Sequence, residues 1–156
     1  MASEANVETI LREAVQSETE AHAFYSSAVS LVEAEDVKDT LRQLAREELG
    51  HRATLERMLA SPGALRRRVR KSLQGSVQDY KIGDHLVLKP LSANSTFQDV
   101  CIVASRKEQQ SCELYRGLAE QNEGEPRDLL EAMAKDELRH KNLVEGWYEQ
   151  VIYREF

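Results

Sequence analysis

Ala45-Arg46-Glu47-Glu48-Leu49-Gly50-His51 and Ala134-Lys135-Asp136-Glu137-Leu138-Arg139-His140 are two copies of one pattern in a chain of 156 residues. In each copy a Glu and a His stand three apart, so a helix would project them from the same face. Each copy is preceded by a lone Glu with a Tyr seven residues beyond it, Glu18 with Tyr25 and Glu108 with Tyr115. The step from lone Glu to Glu-x-x-His is 30 residues in the first half and 29 in the second, which makes the chain an internal repeat.

The residues around these motifs step by three and four, the period of an amphipathic helix. Val7, Leu11, Ala14, Ala21, Tyr25, Ala28 and Val32 form the first seam, in a stretch from 4 to 34 with no Pro or Gly. Val37, Leu41, Leu44, Leu55 and Met58 form the second over 36–60, with Asp36 the expected N-cap and Ser61-Pro62-Gly63 the stop. Phe97, Cys101, Ala104, Ser111, Tyr115 and Leu118 form the third over 96–123, with Ser95 the expected N-cap and Gly124 the end. Leu130, Met133, Val144, Trp147 and Val151 form the fourth over 126–153, with Pro126 in its first turn. Short turns join helices 1 and 2, and 3 and 4, into antiparallel hairpins. Residues 61–94 carry no long helical pattern, yet roughly thirty residues can cross the ~40 Å length of a helix. The expected fold is all-α: one ferritin-like four-helix bundle of two antiparallel hairpins joined by a long crossover, with helices 2 and 3 parallel.

Every seam is interrupted at a core position by residues that should not be there. They are Glu18, then Glu48 and His51, then Glu108, then Glu137 and His140. Ionised carboxylates are almost never buried unpaired, because desolvation costs several kcal/mol per ion. At 1.5 Å per residue, the six also fall at matching heights, about twelve to sixteen residues from each hairpin turn. Each Glu-x-x-His can hold one metal ion by oxygen and nitrogen, each lone Glu can add an oxygen, and carboxylates can bridge two ions. Four carboxylates and two divalent ions are together neutral. Mostly oxygen donors with one imidazole per ion suit iron, or manganese, rather than structural zinc.

Glu18 with Tyr25, Glu48-Leu49-Gly50-His51, Lys107-Glu108 with Glu113-Leu114-Tyr115, and Asp136-Glu137-Leu138-Arg139-His140 resemble the di-iron domain of the rubrerythrin family, within the ferritin-like superfamily. The resemblance extends over nearly the whole chain. It implies a non-haem centre of two iron ions that reacts with hydrogen peroxide or dioxygen in oxidative-stress defence, and it implies a homodimer. Family members commonly append a four-cysteine, rubredoxin-like iron site. This sequence has two Cys and ends at Phe156 just past helix 4. The expectation is therefore an external electron donor such as a rubredoxin-like protein. Peroxidase-type members also resemble one another in an extra Glu one turn beyond the helix 3 ligand, where this sequence looks to have Ser111 or Cys112. An iron-handling, ferroxidase-type bundle or a structural metal site is the competing reading. A bundle with no metal, acting as an adaptor, is a third.

Tyr25 and Tyr115 are expected to hydrogen-bond a ligand carboxylate on the neighbouring helix. His22 and Cys112 take matching places four residues after the lone Glu and border the pocket; the His reads as a core-edge residue sooner than a ligand. Cys101 and Cys112 read as small buried apolar residues. Two cysteines make no disulfide framework, which points to the cytoplasm. A formal charge of −6 disfavours a nucleic-acid partner, and no apolar run is long enough to span a membrane. The basic run Arg66 to Lys71 reads as a solvated helix end. His85 has no neighbour at ligand spacing, and Leu86-Val87-Leu88 is an apolar stretch suited to packing across the bundle or against a second subunit.

Overall fold

The computed structural model describes residues 4–61, 65, 68–70, 91 and 95–155. Helix α1 spans Val7–Ala28 and helix α2 Glu35–Ala60, with a turn of 3-10 helix, Val29–Leu31, between them. Helices α3, Phe97–Glu120, and α4, Gly124–Glu155, form the second hairpin. Two short strands, β1 (Glu4–Asn6) and β2 (Arg68–Arg70), pair antiparallel with Ala5 opposite Val69.

Two apolar clusters fix how the hairpins lie. One joins Val7, Ile10 and Leu11 of α1 and Leu55 and Met58 of α2 to Leu118 of α3 and Leu130 of α4. The other joins Tyr25 of α1 and Leu41 and Leu44 of α2 to Val100 of α3 and Val144 of α4. Both α2 and α3 therefore run from the second cluster to the first and are parallel. The connection between them has to return along the bundle. Leu65, near its start, is buried in the first cluster, and Leu91, near its end, packs against the second. The four-helix, two-hairpin architecture is that of the ferritin-like bundle, and the mid-height of the bundle lies between the two clusters.

The helix ends differ from expectation where local chemistry decides them. Residues 4–6 are strand rather than the start of α1, because β2 offers their backbone a partner and Asn6 caps the helix by accepting from the Glu8 amide at 2.8 Å. Helix α1 gives way to 3-10 turn at Val29 rather than continuing to 34. Asp36 is not the cap of α2; the helix begins at Glu35, and both acids sit in its first turn, favourable to the helix dipole. Thr96, not Ser95, caps α3, since its hydroxyl accepts from the Asp99 amide while the Asp99 carboxylate accepts from the Thr96 amide. Gly124 opens α4 rather than closing α3, with a φ of 67° that other residues rarely adopt. Losing the α3 capping box through Thr96→Ala should destabilise the fold by about 1 kcal/mol, measured as a lower urea midpoint at unchanged slope.

Arg68–Arg70 of the basic run forms β2. The rest of that run, His85 and Leu86-Val87-Leu88 lie outside the described residues, as does most of the crossover. Among the described residues no helix is long and apolar enough to cross a membrane.

Candidate metal centre

The structure brings all six seam-breaking residues together between the two apolar clusters. Glu18, Glu48, Glu108, Glu137 and His140 are wholly buried, and His51 is 5% exposed. They fall into two overlapping groups, Glu18, Glu48, His51 and Glu137, and Glu48, Glu108, Glu137 and His140. Within each group the candidate donor atoms lie within 4.8 Å of one another. Glu48 and Glu137 belong to both groups. Each Glu-x-x-His therefore serves its own group and lends its carboxylate to the other.

Both imidazoles are oriented alike. His51 turns Nδ1 inward, 2.7 Å from Glu137 Oε1, and His140 turns Nδ1 to within 3.1 Å of Glu48 Oε1. Their Nε2 atoms face out to a carboxylate of the opposite hairpin, His51 to Asp136 at 3.0 Å and His140 to Glu47 at 3.4 Å. Arg139 pairs with Glu47 in turn. The Asp136 carboxylate, accepting from the outer nitrogen of His51, fixes the tautomer that leaves the inner nitrogen of that ring free to bind a metal.

Two tyrosines repeat the same exchange between hairpins. Tyr25 on α1 donates to Glu108 Oε1 at 2.6 Å, and Tyr115 on α3 donates to Glu18 Oε1 at 2.5 Å. Burial, with the neighbouring carboxylates, pushes both phenols well above their usual pKa, so they remain donors.

The second oxygen or the inner nitrogen of all six residues is left without a hydrogen bond of acceptable geometry: Glu18 Oε2, Glu48 Oε1, Glu108 Oε2, Glu137 Oε1 and the Nδ1 of His51 and His140. Buried polar atoms are rarely orphaned. Six orphans that face one another suit a set of cation ligands, so the residues fit a bound metal.

Electrostatics make the same point. Burial and the Glu48 charge raise the Glu18 carboxyl, and burial with Glu137 and Glu48 holds Glu108 well above the usual carboxylate range. Burial opposes protonation of the histidines, but Glu137 and Glu18 push His51 up to about 12, and Glu108 and Glu48 push His140 up to about 10. Burial would raise Glu137 too, yet Lys107 brings it down to about 2. The negative charge of the site is drawing in protons.

Residues 9–79 match the family model described as Rubrerythrin. That match spans α1, α2 and β2 and contains Glu18, Glu48 and His51. The first half of the chain is thus similar to the rubrerythrin family. A hypothetical protein from Pyrococcus furiosus shares the fold, with a TM-score of 0.70 at 22% identity over 96% of this chain and 92% of that one. No curated protein matches the chain.

The site contains three residues that the helical seams and the repeat had given no role. Glu47 and Asp136 immediately precede the two motif Glu residues, and the repeat itself marked them as equivalent. Lys107 is the larger omission. It is 3% exposed, and its ammonium pairs with Glu48, with Glu137 at 2.8 Å, with Glu108 at 3.5 Å and with Glu18 at 3.7 Å. Burial would depress its pKa, but the four carboxylates hold it well above the usual lysine value. A second apolar line on α3, Val100, Ala104, Lys107, Ser111, Leu114 and Leu118, all buried, carried the signal.

His22 stands outside both groups, with Nδ1 2.9 Å from the Ala45 carbonyl oxygen. Cys101 and Cys112 are buried free thiols, and burial raises both, Cys101 to about 12. Ser111 is buried as well.

Proposed function

We propose that the chain is a non-haem di-iron carboxylate protein of the rubrerythrin kind, which reduces hydrogen peroxide or reacts with dioxygen in oxidative-stress defence. The observation that carries this reading is the pair of buried Glu₃His groups sharing Glu48 and Glu137. Glu18, Glu48, His51 and Glu137 would hold one ion, and Glu48, Glu108, Glu137 and His140 the other. Iron in those places supplies the electrons for the oxidant; manganese satisfies the same donors.

The chain's own part is positional and protective. Tyr25 and Tyr115 each fix one oxygen of a lone Glu, leaving the other oxygen for metal. Asp136 holds the His51 imidazole in the binding tautomer, and Glu47 sits beside the outer nitrogen of His140. Apolar clusters at both ends of the site exclude water from it. Neither buried, proton-retaining thiol suits a redox partner, which supports an external electron donor such as a rubredoxin-like protein. A homodimer, a cytoplasmic setting and the lack of a nucleic-acid partner belong to the same proposal.

Metal analysis of protein from its native host should find close to two irons per chain, and peroxide added to the reduced protein should oxidise them quickly. Iron-free protein, or iron inert to peroxide, would refute the reading. Ser111 and Cys112, in place of the extra Glu of peroxidase-type members, favour a second reading, iron handling. That reading predicts many irons oxidised per chain with little peroxide turnover.

A further inference from the structure

We infer that Lys107 is the site's own exchangeable cation: its ammonium offsets part of the buried carboxylate charge in the metal-free protein and is displaced when metal enters. The inference rests on the metal-centre reading above.

The ammonium lies between the two carboxylates common to both groups. It donates to Glu48 Oε2 and to Glu137 Oε2, one oxygen on each. The other oxygens of the same pair, Glu48 Oε1 and Glu137 Oε1, stay without hydrogen bonds. Lys107 thus offsets part of the charge on the shared carboxylates through one oxygen of each, while their other oxygens face the inner nitrogens of His51 and His140.

Charge makes the two states exclusive. Four carboxylates with two divalent ions are already neutral, so a retained ammonium would add a positive charge to a buried site whose lone pairs are all in use. Such an uncompensated charge costs several kcal/mol. Withdrawal needs only rotation about the four-carbon stem of lysine, a flexible point charge with three donors.

Lys107 also breaks the repeat. The lone Glu residues Glu18 and Glu108 correspond, so the position matching Lys107 in the first half is Ser17, buried and uncharged. Ligands, tyrosines and outer carboxylates are all duplicated, but the lysine is single. An ammonium between the two shared carboxylates pairs with both; a second beside it would repel the first.

The test uses chelator-treated full-length protein, wild type and Lys107→Met, with thermal unfolding and calorimetric titration of Mn(II). Without the ammonium, the metal-free variant should unfold at least about 5 °C lower. Its Mn(II) affinity should rise at least about tenfold, because the ions no longer compete with the ammonium. Unchanged melting and affinity in the variant, beside a wild type that binds Mn(II), would overturn the inference and leave the metal centre standing. Weaker Mn(II) binding by the variant would also overturn it, since Lys107 would then support the loaded site. A wild type that binds neither Mn(II) nor Fe(II) refutes the metal-centre reading itself. If Lys107→Met does not fold without metal, it and Lys107→Gln should fold when Mn(II) is added; failure of both to do so counts against the exchange.

Discussion

Glu48→Gln removes both metal positions at once, whereas Glu18→Gln removes one and leaves the other. Glu48 is a member of both buried groups, and Glu18 belongs only to the group with His51. An amide keeps the shape and the ability to accept a hydrogen bond from Lys107, but it lacks the charge and donor strength that a hard cation needs. Metal analysis should therefore fall from about two ions per chain to nearly none in Glu48→Gln, and to about one in Glu18→Gln, with Glu108→Gln the mirror case. Equal losses from Glu18→Gln and Glu48→Gln would show that the groups are not two overlapping sites. Stability should move the opposite way. Glu48→Leu removes one of four buried carboxylates that repel one another, and relief of that repulsion should stabilise the metal-free fold. A metal-free Glu48→Leu protein that unfolds at higher temperature than metal-free wild type would show that the bundle bears a cost for its ligands.

Much of this architecture was legible because it rests on periodicity. A seam of apolar residues stepping by three and four specifies a helix and its buried face together, and a carboxylate on that seam has nowhere to go but inward. Glu18, Glu48, Glu108 and Glu137 were visible for that reason, and the repeat gave their heights. The tyrosines were legible through the same repeat, two turns beyond each lone Glu.

What was not legible depends on contacts that periodicity does not encode. The pairing of β1 with β2 joins Ala5 to Val69, 64 positions along the chain, and nothing local to either segment announces it. Thr96 and Ser95 are both competent caps, and only the reciprocal bond with Asp99 chooses between them. Lys107 lay one position from a ligand on the border of the seam, where a long side chain ordinarily reaches for solvent. It turns inward because four carboxylates together outweigh the cost of its burial. A single cation among several buried anions can thus be expected wherever such a helix has a lysine flanking a core carboxylate.

The metal-free protein should lose stability in alkali, and metal should remove that loss. In the unfolded chain both histidines titrate near 6.5, but in the metal-free site the carboxylates hold His51 up to about 12 and His140 up to about 10. Below about pH 6.5 both states bind these protons and the histidines contribute their full stabilisation. As pH rises, the unfolded chain releases them first, so stability falls until the folded values are passed. The slope is up to about 1.4 kcal/mol per pH unit for each imidazole. Glu18 and Glu108, raised by burial, act in the same sense from about pH 4.5 upward, since the fold holds protons that the unfolded chain has lost. Glu137, lowered to about 2, acts in the opposite sense, but its window lies below about pH 4.5. Metal cancels the slope. The Nδ1 atoms must be unprotonated to serve as ligands, so loading releases these protons, and affinity rises up to about tenfold per pH unit for each proton displaced. Thermal unfolding at pH 6.5, 7.5 and 8.5 should show metal-free protein melting progressively lower and the gain from Mn(II) growing with each step. Parallel curves with and without metal would mean that protons and metal do not share the six donor atoms.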